Sequence, residues 1–380
     1  MFGSIMRTVI AGYCRTPFHR AHRGLLKDTR PEDMVATAVK SVLERTSVEP
    51  SHIEDLMLGC AYPEGEQGLN LGRISTYMAG LPDTIPGMTT NRLCGSSMQV
   101  IHSAAGFISM GSGDVFLCAG VETMSRVMRG GFNRVPHPTL ESNYPEAYIG
   151  MGLTAENLAL SHEISRADQE VFAANSHTKA INAQERGHLD DEIVPVGDIN
   201  VDGCMRAPNL DKMATLPPAF IETGSVTAAT SSPLTDGASA LLVCSESYAK
   251  EHGIQPLASI VSTAVSGVAP EIMGYGPVPA SAKALQRAGL SMDDMDIIEL
   301  NEAFSAQSLA CMKDMGLGMD DSRLNVDGGA LSIGHPLGAS GCRITGKSAS
   351  LLQRKQGQFA LATMCIGGGM GISTVLERWN

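Results

Sequence analysis

No pair of cysteines in this sequence is spaced Cys-x-x-Cys, although nine are present, at 14, 60, 94, 118, 204, 244, 311, 342 and 365. The absence excludes a zinc ribbon and a thioredoxin-type redox site. An odd count in a chain of this size also argues against a disulfide framework. No run of Lys or Arg forms a basic stripe, and the net charge is −12, so duplex nucleic acid is excluded as a partner. An anionic ligand would need a local basic pocket. No stretch of about 18 apolar residues occurs, so no membrane span is expected. The opening segment Met1–Arg7 is too short for a signal or transit peptide, and a cytoplasmic location is the expectation. Aromatic residues are few, at 4%, and charged residues make up only 18%.

What is present is a long, largely apolar chain rich in small residues. Hydrophobic residues make up 43% of 380, enough for a large core and for two or three packed units. Forty-one glycines point to tight turns and close backbone approaches.

The N-terminal third alternates strand-like runs with helical ones. Thr8–Ala11, Asp55–Gly59, Gly87–Thr90 and Val115–Ala119 read as extended segments. Arg30–Arg45 reads as a helix, with Met34, Ala38 and Val42 on one face and Pro31 in the first turn. The C-terminal third repeats the rhythm. Pro256–Ser266, Asp296–Leu300, Phe359–Cys365 and Gly371–Glu377 read as strands. Pro279–Gly289, Ala303–Met315 and Leu337–Arg354 read as helices. The middle, 123–232, differs from both ends and holds one clear helix, near Ala167–Arg186. It reads as a long excursion covering a site made by the two ends. The class is α/β.

Four segments carry chemistry. In Asn91-Arg92-Leu93-Cys94-Gly95-Ser96-Ser97, an extended run leads into a turn, and a helix follows with Met98, Ile101, Ala105 and Ile108 at core spacing. Cys94 at a helix start would meet free amides that favour a thiolate, or it is a small residue packed beneath the helix. In Gly328–Gly341, His335 lies between Gly334 and Pro336 just ahead of a helix, either a structural residue or a rigidly placed base. In Met364–Gly371, Cys365 ends a strand beside a glycine run whose amides can hold an oxyanion. In Asn301-Glu302-Ala303-Phe304, two polar groups at a strand-to-helix junction need partners, and Asn301 is otherwise an N-cap.

Taken together and in this order, the four segments resemble the thiolase family, over essentially the whole chain. Asn91–Gln99 and Ala362–Gly367 are most similar to bacterial 3-ketoacyl-CoA thiolases of fatty-acid β-oxidation. Met151–Glu156 and Met273–Pro279 extend the match. The resemblance implies thiolase-like duplicated αβαβα halves with an inserted loop domain. Residues 1–122 and 233–255 would form the N-terminal half, 123–232 the loop domain that binds coenzyme A, and 256–380 the C-terminal half. It implies that Cys94 is acylated and His335 takes its proton. Cys365 would protonate the departing enolate, whose oxygen Asn301 and His335 would hold with a water. The amides of Cys94 and Gly367 would hold the oxyanion on the acyl-enzyme.

The resemblance also implies coenzyme A as a substrate, with no tightly bound cofactor and no metal. Arg206, Phe220, Ser232, Leu234 and Met273 match the family's coenzyme A contacts, Arg206 only across a one-residue gap. Departures lie at the nucleotide end. The usual Leu-Arg-Pro-Ala-Phe reads Leu216-Pro217-Pro218-Ala219-Phe220, a common Ser reads Lys212, and Pro195–Arg206 is shorter than typical. A homodimer or tetramer, and a complex with a β-oxidation hydratase/dehydrogenase subunit, are further implied.

Short-chain biosynthetic thiolases carry a bulky His just before the Met-Gly that matches Met151-Gly152, where this chain has Gly150. Three other readings stand beside this one. A biosynthetic acetoacetyl-CoA thiolase shares every catalytic residue. A decarboxylating synthase would lack a cysteine at 365. A non-catalytic scaffold or lipid carrier would have lost some of the four segments.

Overall fold

The computed structural model describes residues 7–380; Met1–Met6, which carry most of the opening segment discussed above, lie outside the described residues. The described residues form ten strands: β1 Thr8–Arg15, β2 His19–Arg20, β3 Asp55–Gly59, β4 Gly87–Thr90, β5 Val115–Thr123, β6 Thr235–Ser245, β7 Ala258–Gly267, β8 Ile297–Leu300, β9 Phe359–Ile366 and β10 Met370–Arg378. Among the helices, the N-terminal half holds α1 Pro31–Thr46, α2 Leu71–Met78 and α3 Ser96–Ser109. The excursion between β5 and β6 holds α4 Pro138–Asn143, α5 Met151–Ser161, α6 Arg166–Glu185 and α7 Leu210–Ala214, and adds no strand to the sheet. After β6 come α8 Glu246–Glu251, α9 Pro277–Ala288, α10 Ser305–Asp314, α11 Ala330–Ile333 and α12 Leu337–Lys355. Among the described residues no helix is long and apolar enough to cross a membrane.

Local sequence explains the better-defined elements. α1 opens with Pro31 at its first position and Glu32 and Asp33 in the first turn, carries Arg45 in the last, and stops at Ser47 in the left-handed region. β3 and β4 fall on the residues expected. β1 continues past Ala11 to Arg15 through a bulge between Ile10 and Gly12. β6 was not anticipated: all eleven of its residues are buried, so no alternation of polar and apolar side chains marks it.

The sheet order exposes an internal duplication. The N-terminal half runs β4-β3-β5-β6-β1, with β3 parallel to β4 and β5, and β6 antiparallel to β5 and β1. The C-terminal half runs β8-β9-β10-β7 with the same directions, and Leu324 bridges Ile298 in parallel where the first half has β4. The halves join where Val9 and Ile10 of β1 pair Ser259 and Ala258 of β7.

Alternating residues build the layers. Val9, Ala11 and Cys14 of β1 face α1, in a core that includes Met34, Val39 and Val42. Ile10 and Tyr13 face the other way, into a core that joins α3 and α12 to strands of both halves, Ala258, Ala360 and Leu376 among them. A third core lays α9 and α10 on the far face of the second half. The αβαβα layering is thus built jointly: outer helix, sheet, central helices α3 and α12, sheet, outer helix.

A buried ion network ties the excursion to this frame. The Arg15 guanidinium grips both oxygens of Asp202, at 2.7 and 2.8 Å, and Nε donates to Glu192 at 2.8 Å. Lys347 of α12 bonds the second Glu192 oxygen at 2.8 Å. Removing one member leaves buried charge unpaired, which costs about 3–5 kcal/mol. Arg15→Met is expected to lower unfolding free energy by about that much, measured by urea denaturation followed by circular dichroism. A loss below about 1 kcal/mol would show that the network does not anchor the excursion.

Candidate active site

Cys94 sits in a turn laced by its neighbours. Asn91 Oδ1 accepts from Leu93 N–H at 2.8 Å. Ser96 Oγ accepts from Arg92 N–H at 2.9 Å and donates to the Leu93 carbonyl at 2.6 Å. Leu93 is held at φ +44°, and the turn delivers Cys94 one residue before Gly95, the N-cap of α3. Eight of the nine cysteines are buried; Cys94 alone is partly exposed.

His335 is fixed by Gly334, at φ +113°, and by its own N–H, which donates to Thr235 Oγ1 at 3.0 Å. Its Nδ1 lies 2.6 Å from Ser340 Oγ, and that hydroxyl donates to the Pro336 carbonyl at 3.0 Å. The single hydroxyl proton being used, Nδ1 is the donor, and Nε2 carries the free lone pair. Asn301 Nδ2 lies 3.4 Å from Nε2, while Asn301 Oδ1 is buried with no partner among the described residues.

Glu302, the second polar group at this junction, holds the His335 turn. Its carboxylate accepts from Ser176 Oγ at 2.6 Å, Asn325 Nδ2 at 2.7 Å and Leu331 N–H at 3.2 Å.

Cys365, on β9, is buried within charge–charge reach of Cys94, and the Gly367 N–H points at the Cys94 sulfur. Leu337, two residues past His335, packs in one apolar cluster with Cys94. The structure thus brings Cys94, Cys365 and Gly367 together and sets Asn301 on His335, while Leu337, two residues past His335, belongs to the apolar cluster that Cys94 borders.

Of the residues matched to coenzyme A contacts, Phe220, Ser232 and Met273 gather around Ala303–Phe304. Phe220 meets Phe304 edge-on at 5.9 Å, Ser232 N–H donates to the Ala303 carbonyl at 3.0 Å, and Met273 is buried in the cluster holding Phe304 and Cys365. Leu234 is exposed, next to Ala21. Arg206 stands apart beside His177, to whose Nδ1 its backbone N–H donates at 3.3 Å. A cavity of about 600 Å³ lined by Tyr13, Arg45, Glu192, Lys347 and Arg354 contains none of these residues.

The electrostatics depart from expectation in one respect. The helix start was expected to favour a thiolate at Cys94. Burial outweighs it and pushes the thiol up to about 11, although N–H groups of Gly367 and of Cys94 itself pull it down. Burial, helped by Arg343, pushes His335 down to about 4. The resting pair is uncharged, with a neutral imidazole available to take a proton. Two supporting residues were not found from sequence: Ser340, which sets the His335 tautomer, and Glu122, a lone acid near the end of the apolar strand β5.

Known proteins share this fold. The N-terminal domain profile of thiolases matches residues 8–247, and the C-terminal one residues 254–378. The chain belongs to the thiolase family. Among its relatives is the 3-ketoacyl-CoA thiolase of Klebsiella pneumoniae, 47% identical over 98% of this chain and 99% of that protein. The human mitochondrial 3-ketoacyl-CoA thiolase, solved in complex with CoA, superposes with a TM-score of 0.91 at 36% identity, covering 99% of each chain. An acetyl-CoA acetyltransferase of Bacillus anthracis superposes at 0.90 with 38% identity, again over 99% of each chain.

Stability should report the buried imidazole. His335 falls from 6.5 to about 4 on folding, so between those values the unfolded chain binds the extra proton. Stability is therefore lost as pH falls from about 6.5 toward 4, with a slope of about 1.4 kcal/mol per pH unit for each such histidine. His335→Gln is expected to reduce the slope of urea-unfolding free energy against pH by about one histidine's share. An unchanged slope would contradict the neutral, buried state of His335.

Proposed function

We propose that this chain cleaves 3-ketoacyl-CoA thioesters with coenzyme A, giving acetyl-CoA and an acyl-CoA shortened by two carbons. The carrying observation is Cys94: the one cysteine reachable from solvent, at a helix start, with the Gly367 N–H aimed at its sulfur. In this reading His335 Nε2 takes the Cys94 proton, and the sulfur attacks the C3 ketone. The N–H groups of Cys94 and Gly367 hold the resulting oxyanion. The bond between C2 and C3 then breaks. Asn301 Nδ2 and the protonated His335 hold the enolate oxygen, and the Cys365 thiol protonates its carbon. Acetyl-CoA leaves. The thiol of an incoming coenzyme A gives its proton to Cys365 and attacks the acyl thioester, and Cys94 recovers its proton from His335.

The same reading divides the chain into an N-terminal half, 1–122 with 233–255, a coenzyme A-binding excursion, 123–232, and a C-terminal half, 256–380. Coenzyme A lies along Phe220, Ser232, Leu234 and Met273. Arg206 supplies positive charge for its phosphates: burial and the neighbouring Arg20 push its guanidinium down, so an anion there is favoured. We further propose a cytoplasmic homodimer, paired through the open edge at β4, whose four residues are only half-buried. A tetramer and association with a hydratase/dehydrogenase subunit extend this assembly.

Purified protein given 3-ketohexanoyl-CoA and coenzyme A is expected to yield acetyl-CoA and butanoyl-CoA. Cys94→Ala should lower that rate by roughly 10⁴-fold or more. Native protein without this thiolysis, or a Cys94→Ala variant that retains it, would overturn the reading.

Chain length follows from Gly150, the residue ahead of α5. Among the described residues nothing stands within 4 Å of where a side chain there would begin, so an open space borders Met151. A longer acyl chain gains about 0.8 kcal/mol for each methylene it buries. kcat/KM for 3-ketohexanoyl-CoA is expected to exceed that for acetoacetyl-CoA, and Gly150→His should cut the ratio roughly tenfold. An unchanged profile in the variant, or a native preference for acetoacetyl-CoA, would favour the biosynthetic reading.

A further inference from the structure

Glu122, the next-to-last residue of β5, has no exposure to solvent, and every neighbour that meets its carboxylate among the described residues is a donor. One oxygen accepts from Ala61 N–H and Gly338 N–H, each at 2.9 Å. The other accepts from Gln67 Nε2 at 2.7 Å and Tyr62 N–H at 3.2 Å, with the Cys60 thiol at 3.8 Å. The Gln67 amide cannot turn over, because its oxygen accepts from Thr123 N–H and Oγ1 at 2.7 and 2.9 Å. A protonated acid, or a glutamine, would set a donor against donors at whichever oxygen it altered. Burial pushes the carboxyl up, but four N–H bonds pull it back. The donor count decides for the anion.

The duplication gives this residue a second meaning. Asp55 of β3 faces Phe116 of β5, and at the entry to β8 the Asp296 N–H donates to the Phe359 carbonyl of β9. Counting six residues on from each Phe, Glu122 in the first half occupies the place of Cys365 in the second. The two equivalent strand ends converge on one site: Cys94 lies within charge–charge reach of both.

We propose that Glu122 is a positioning residue: its buried carboxylate locks the 60–62 loop and the start of α12, and with it His335, against the strand end beside Cys94. The inference rests on the roles given above to Cys94 and His335. Gly338 is three residues past His335, so the bond to its N–H holds the His335 turn from the side opposite Glu302. The charge acts as well. Cys94 is faced by Tyr62 and Glu122 from the first half, Arg129 from the chain after β5, and Cys365 from β9. Glu122 opposes a free thiolate at Cys94, and acylation, which leaves sulfur uncharged, removes that repulsion.

Two variants separate position from charge. Glu122→Gln removes the charge and breaks two of the hydrogen bonds. Glu122→Asp keeps the charge but is one methylene too short to reach both Gly338 and the 60–62 loop. For each, kcat, KM for coenzyme A, and the pH dependence of Cys94 alkylation by iodoacetamide are measured on folded, full-length protein. Both variants are expected to lose on the order of 10²-fold in kcat with KM for coenzyme A within about twofold. The alkylation profile should move roughly one pH unit lower in the Gln variant and stay in place in the Asp variant. If the Gln variant does not fold, the Asp variant alone decides, through its loss of kcat at an unshifted profile. Near-native kcat in the Asp variant, or an unshifted profile in a folded Gln variant, would overturn the inference. Failure of native Cys94 to take up an acyl group would instead overturn the functional reading beneath it.

Discussion

Everything at this site depends on two helix starts from two halves of the chain meeting with almost nothing between them. α3 and α12 lie side by side in the central layer. Ser97 Oγ accepts from the Cys342 N–H at 2.8 Å, which fixes one helix against the other. A side chain at Gly341 would strike the backbone N of Met98, and one at Gly338 would strike the carbonyls of Gly59 and Val121. Absence of side chains at these positions lets α3, which Cys94 precedes, and α12, which the His335 turn precedes, pack in direct contact. Close packing of this kind is unforgiving of even one added methyl group.

That closeness sets the electrostatics. A largely shielded thiol and a buried imidazole both resist charging, and here burial drives them apart, to about 11 and about 4. An ion pair is therefore not stored in the resting site. Charge develops only as the substrate arrives, and the N–H groups that receive it are already in place at Cys94 and Gly367. Fixed charge is kept one step back, on Glu122 and Glu302, where backbone and side-chain donors saturate it. These carboxylates hold the turns; the groups assigned to the reaction stay neutral.

The sequence was most legible where local chemistry decides. The limits of β3 and β4 were readable as short extended runs, and the span of α1 from Met34, Ala38 and Val42 on one face with Pro31 in the first turn. The turn at Cys94 was readable because an extended run, a small residue and a core-spaced helix are adjacent in the chain. β6 was not readable, because a strand buried on both faces and rich in Ala, Ser and Gly carries no period. The direction of the Cys94 shift was missed for a different reason: the helix start is local, whereas the burial that outweighs it comes from Leu337, Ile366 and Met364, far away in the chain. Glu122 and Ser340 were invisible for the same reason, since a single acid or hydroxyl declares a role only when its donors and acceptors are seen. The four motifs supplied the site's membership, and tertiary contacts supplied its geometry.

The central claim is a division of labour between two cysteines, one that carries the acyl group and one that moves the proton. It is tested most directly in Cys365→Ala protein incubated with acetyl-CoA and then with 3-ketohexanoyl-CoA, with peptide mass spectrometry and product analysis on the same sample. The account predicts an acetyl group on Cys94 from acetyl-CoA, because that exchange needs no carbon–carbon bond to break, together with loss of ketoacyl cleavage. Acyl label on Cys365 in the native protein, or undiminished cleavage in the variant, would contradict it.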